Sequence, residues 1–167
     1  MNDDLLPEGL LVQVREVPGL RALHMRYVGL RSGLNDATEA LKRAAVIAGV
    51  GPCGPPITDF CELPGDGEDA SLRADLFVPV RGIPGAGDHP VVEVGPMRVA
   101  SVHYSGALGE SFLRVHRDLF SWMDAQGHPR AGTRHLHVCL AGSASDGELS
   151  VELRVPLIGG GSPRPPM

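Results

Sequence analysis

Two ten-residue stretches, LRALHMRYVG at 20–29 and MRVASVHYSG at 97–106, share Arg in second place, Tyr in eighth and Gly in last. An offset of 77 residues superposes them, laying Tyr27 on Tyr104, and the same offset holds its register elsewhere. Upstream it lays VREV (14–17) on VVEV (91–94). Downstream it lays ADLFVPV (74–80) on VELRVPL (151–157), so that Asp75 meets Glu152 and Pro79 meets Pro156. Between these anchors the offset becomes 78, with Leu34 on Phe112, Leu41 on Leu119, Ala44 on Trp122 and Gly49 on Gly127. A loop residue gained and later lost leaves this pattern. One unit is used twice, and the fold must accommodate both copies.

Each unit reads strand, helix, strand, strand. Leu23, Met25 and Tyr27 alternate with Ala22, His24 and Arg26, and Ala100, Val102 and Tyr104 alternate with Ser101 and His103. Period two with one apolar face predicts half-covered strands. Residues 32–48 and 110–126 place apolar side chains at helical spacing, and Gly49 and Gly127 follow where a helix stop favours positive φ. Third elements are expected at 57–62 and 134–140. Gly-rich loops, PGDGED and GSASDGE, lead to the fourth. The prediction is an α+β domain over 1–158, made of two β-α-β-β repeats (about 12–80 and 91–157) that form an antiparallel sheet with two helices. RGIPGAGDHP links the halves, and GGGSPRPPM (159–167) is expected to be disordered.

Several function classes are excluded. The formal charge is −5 and no Lys/Arg cluster offers a phosphate-binding face, so no nucleic-acid partner is expected. No apolar run is long enough to cross a bilayer, and the acidic opening MNDDLLPEG is unlike a secretory signal. An odd set of three cysteines without paired spacing suits free thiols in a reducing cytoplasm. No G-x-S-x-G elbow is present, and GVGPCG follows a helix and lacks the P-loop Lys. In HLHVC, His135, His137 and Cys139 share one strand face at steps of about 6.5–7 Å. That is too wide for three bonds of about 2 Å to one ion, so neither metal nor cofactor is expected.

The RVASVHYSG strand (98–106), the helix carrying Trp122, Gly127 behind it and the closing ELRVPL (152–157) together resemble the GyrI-like family, also described as AraC-type effector-binding or multidrug-regulator ligand domains. The resemblance spans about 12–157. It implies two β-α-β-β halves about a pseudo-twofold axis, with small organic molecules, often bulky, aromatic and cationic, held in a central cleft between them. Ring faces and a buried carboxylate supply the attraction. With no helix-turn-helix in the chain, a stand-alone member is expected. Some stand-alone relatives hydrolyse cyclopropane-bearing natural products, which gives the alternative activity, with Glu152 as its acid or base. A gyrase-inhibitor-like protein partner has no anchor in the sequence.

Carried onto this chain, the ligand-binding candidates are Glu152, its repeat mate Asp75, Trp122, Phe60, His137, Tyr104 and Phe112. Each has an ordinary alternative: core packing for Trp122 and Tyr104, an ion pair with a nearby Arg for Glu152. Leu30 and Leu108 stand where the family usually has Tyr, and Phe60 and His137 stand where its third strands often do.

Overall fold

Alternating apolar residues form eight strands, and the two segments of helical period form helices. The computed structural model describes residues 4–60, 71–82, 89–106, 110–130, 134–142 and 149–158. In chain order the elements are β1 (Val12–Val17), β2 (Leu20–Leu30), α1 (Leu34–Ile47), β3 (Ile57–Phe60), β4 (Ser71–Pro79), β5 (Val91–Val94), β6 (Met97–Gly106), α2 (Glu110–Gln126), β7 (His135–Gly142) and β8 (Leu149–Pro156). A 3-10 turn at Arg31–Gly33 leads into α1. The end expected for β3 at residues 61–62, the first Gly-rich loop, the second from residue 143 onward, most of the linker and the tail lie outside the described residues.

The strands form one antiparallel sheet in the order β1-β6-β8-β7-β3-β4-β2-β5. Its pairings keep the 77-residue offset. Tyr27 opposes Ala74 as Tyr104 opposes Val151, and His24 opposes Phe77 as Ser101 opposes Arg154. Each unit has five elements rather than four, because a short strand precedes the first expected one. These extra strands cross over: β1 pairs with β6 of the second half and β5 with β2 of the first. Val17 opposes Met97 and Leu20 opposes Val94, the same contact seen from either half. At the centre β3 pairs with β7, making the two halves one sheet.

Both helices lie on one face. Leu41 and Ala45 of α1 pack on Leu23, Leu76 and Val78. Phe112, Leu119 and Met123 of α2 pack on Ala100, Val102, Val151 and Leu153. Leu41 and Leu119, matched at offset 78, are both fully buried, as are Ala45 and Met123. Gly49 and Gly127 end the helices at φ 77° and 76°, the left-handed conformation their positions predict. On the other face a small cluster of Ile57, Leu136 and Val138, joined by Leu20, Phe77 and Met97, covers the centre. Among the described residues, no helix is long and apolar enough to cross a membrane.

Candidate functional site

The central strands carry rings on the helix-bearing face. Phe60 opposes His135, and His137 lies opposite Leu153, a core residue beneath α2. Phe60 stacks on His135 at 5.1 Å and meets His137 at 4.5 Å. From α2, Phe112 meets His137 at 5.1 Å and Tyr104 at 4.9 Å, and one turn later His116 reaches His137 at 5.0 Å. Six rings thus meet where the two halves join. Phe60, Tyr104, Phe112 and His137 were expected at the site, and the structure brings them together.

His116 and His135 were not among the candidates. By its polarity His116 reads in the sequence as part of the polar face of α2, yet the structure buries it one turn after Phe112, and nothing in the sequence says which strand that side of the helix meets. Its ring nitrogen Nδ1 donates to the Phe112 carbonyl at 2.8 Å, leaving Nε2 facing His137 Nε2 at 2.9 Å. Burial pushes the His116 pKa down to about 4, with the bond to the carbonyl opposing and His135 adding to the fall. Burial, then the neighbouring His116 and His135, holds His137 well below its usual value. These two rings are neutral at neutral pH. His137 and Cys139 keep partial exposure, whereas His116 and His135 are buried.

Glu152 and Asp75 are elsewhere. Glu152 lies between Val151 and Leu153, which point to α2, so it projects from the opposite face of the sheet. There it accepts hydrogen bonds from Arg15 and, at 2.7 Å, from Arg154. Burial works against its charge, but Arg154 and then Arg15 outweigh it and hold the carboxyl below its usual range. Asp75 is on that same face, bonded to His24 at 2.8 Å and Arg26 at 3.3 Å. Those partners overcome the effect of burial and depress its pKa too. The expected union of carboxylate and rings in one cleft is therefore corrected: the sheet separates them, and the acids already hold internal cations.

Trp122 also stands apart. It packs against the α2 core from outside and stacks on His128 at 5.5 Å. With Gln126, Gln13, Arg15 and Arg98 it lines an open groove of about 590 Å³ beside the edge strand β1. A smaller hollow of about 270 Å³ holds Glu152, Arg15, Ser101, His103 and Leu140.

No protein-family model matches the sequence, and no curated protein sequence matches it. Solved structures do. The chain superposes on the C-terminal domain of EcmrR with a TM-score of 0.71 at 12% identity, covering 89% of this chain and 97% of that one. A hydrolase of Listeria innocua, encoded by lin2189, gives 0.60 at 14% identity over 87% and 91%. SAV2435 bound to tetraphenylphosphonium gives 0.54 at 12% identity over 89% and 94%. These likenesses establish that the chain shares the fold of those proteins.

Proposed function

We propose that this protein binds small organic molecules, hydrophobic and in part cationic, on the helix-bearing face where its two halves meet. The observation that carries this reading is the ring cluster of Phe60, Tyr104, Phe112, His116, His135 and His137, buried but for partial exposure at His137, so that a ligand reaches the ring faces by parting them. Ring faces accept flat apolar surface and attract cations through their quadrupole. The cation-bound neighbour of the same fold supports the ligand class. With Glu152 and Asp75 on the far face, the preference for cations rests on ring faces alone, about 0.5–2 kcal/mol.

Calorimetric titration with tetraphenylphosphonium and with its anionic counterpart tetraphenylborate tests this. The cation is expected to bind saturably and the anion more weakly, with Phe60→Leu and Phe112→Leu each lowering cation affinity roughly tenfold. Absence of saturable binding by either would overturn the proposal. The groove beside β1 supports a second reading, because its volume is that of a ligand site and Trp122 lines it. Loss of binding in Trp122→Leu but not in Phe60→Leu moves the site there.

Hydrolysis has less support. Its three intended residues, Glu152, Trp122 and Phe60, share no site. An acid held ionised by two arginines is also a poor proton donor and a weak base. Incubation with cyclopropane-bearing alkylators, followed by mass spectrometry, is expected to show no Glu152-dependent addition of water.

A further inference from the structure

The ring patch contains three imidazoles from two elements: His116 of α2 with His135 and His137 of β7. One ligand nitrogen from each lies within 4.8 Å of the other two. The spacing along HLHVC argues against three ligands from one straight strand. The helix removes that difficulty by supplying His116 from above the strand.

We infer that His116, His135 and His137 form a binding site for one divalent transition-metal ion of zinc or copper type. Three features carry this beyond proximity. First, the His116 Nδ1–H bond to the Phe112 carbonyl fixes the tautomer with its lone pair on Nε2, the arrangement by which metal-ligating histidines are oriented. Second, that lone pair is aimed at His137 Nε2, 2.9 Å away. Two nitrogens on a tetrahedral ion stand roughly 3.3 Å apart for bonds of about 2 Å, so this pair needs only a small opening. The widest pair must close by at most roughly 1.5 Å, a side-chain adjustment. Between the two Nε2 atoms the hydrogen belongs to His137; on metal binding it moves to that ring's Nδ1 by way of solvent, and His137 stays neutral.

Third, the duplication supplies an internal control. The matching positions in the first half are Thr38, Thr58 and Phe60, and Thr38 also bonds back to the carbonyl four residues earlier, that of Leu34, at 3.0 Å. The fold therefore closes around a threonine, a threonine and a phenylalanine at these places. Imidazoles at all three in one half are not demanded by packing. All-nitrogen ligation suits zinc, copper and nickel and disfavours magnesium and calcium. Of the three residues His137 is the least buried, the side from which an ion would enter.

The test uses the full chain with any affinity tag removed and metal stripped by chelator. Zn²⁺ binding is measured by competition with a chromophoric chelator, and Cu²⁺ by the nitrogen couplings in its electron paramagnetic resonance spectrum. One ion per chain is expected, with no response to Mg²⁺. His116→Thr and His137→Phe, which install the residues of the other half, are each expected to weaken binding roughly 100-fold. His103→Gln and Cys139→Ser leave it unchanged. Should His116→Thr fail to fold, the partly exposed His137→Phe decides. No binding, binding that survives both substitutions, or binding lost equally in His103→Gln overturns the inference. None of these outcomes depends on an organic ligand, so failure here leaves the small-molecule reading to its own titration.

Discussion

At the scale of single residues, the Tyr-x-Gly ending shared by both halves has a packing explanation. Each Tyr ring folds along its strand over the Gly two positions on. A Cβ at Gly29 would meet the Tyr27 hydroxyl at 2.9 Å, and one at Gly106 would meet that of Tyr104 at 3.0 Å. Gly106 also has φ 148°, a conformation side chains rarely adopt, and its Tyr is the more buried. Gly106→Ala is expected to destabilise the protein by about 1–3 kcal/mol, and Gly29→Ala by less, in urea unfolding. Glu152→Gln gives a second residue-scale test. It leaves Arg154, only 13% exposed in its side chain, without its anion. A stability loss of about 1–3 kcal/mol is expected, while tetraphenylphosphonium affinity stays unchanged. Unchanged stability with weakened cation binding would restore Glu152 to the ligand site.

Among elements, the seam between β3 and β7 carries the most exposed risk. Asp59 is buried there, directly opposite Asp75, and only its Oδ2 is bonded, to Arg134 at 2.7 and 2.8 Å. Oδ1 is buried with no hydrogen-bond partner among the described residues. Burial raises its pKa, Arg134 opposes, and Asp75 adds to the rise. Removing Arg134 leaves a buried charge uncompensated, so Arg134→Ala is expected to cost about 3–5 kcal/mol. Asp59→Asn is expected to hold neutral-pH stability within about 1 kcal/mol, since the charge that needed Arg134 goes with it. The helices divide differently: α1 packs alanines where α2 packs Trp122 and Met123, so equivalent positions support cores of unequal bulk.

For the whole molecule, the acid range sums opposing groups. Glu152 and Asp75 have folded pKa values below their unfolded ones, near 4. Their stabilisation is complete above the unfolded values and disappears as pH falls through the folded ones. Asp59, raised, does the reverse: its ionised form destabilises the fold at neutral pH, and protonation relieves that as pH falls. Urea midpoints measured from about pH 7 down to 3 should therefore fall more steeply in Asp59→Asn and less steeply in Glu152→Gln than in the unaltered protein. The crossed strands give another whole-molecule test. Deleting residues 1–17 removes β1 and uncovers the edge of β6 from Met97 to Val102 in the other half. Association or aggregation through that edge, seen by light scattering, is the expected result.

The periodic pattern determined much by itself. The 77-residue offset, the alternation around Tyr27 and Tyr104, and the glycines behind each helix led to the α+β class, the antiparallel sheet and both helices, with α2 at its observed bounds. These are local signals, and a strand or helix announces its own period. The short strands β1 and β5 carry only four to six residues, too few to set a period, and their exchange between halves is a long-range choice. Which residues face each other also lay beyond the sequence. Glu152 and Phe60 belong to the same candidate set yet fall on opposite faces of the sheet, because adjacent strand residues point to opposite sides and the pairing register decides which residues share a face. His116 joins His135 and His137 only because α2 crosses above β7. Spacing along a chain fixes which face of its own element a side chain occupies; the company it keeps is decided when elements pack.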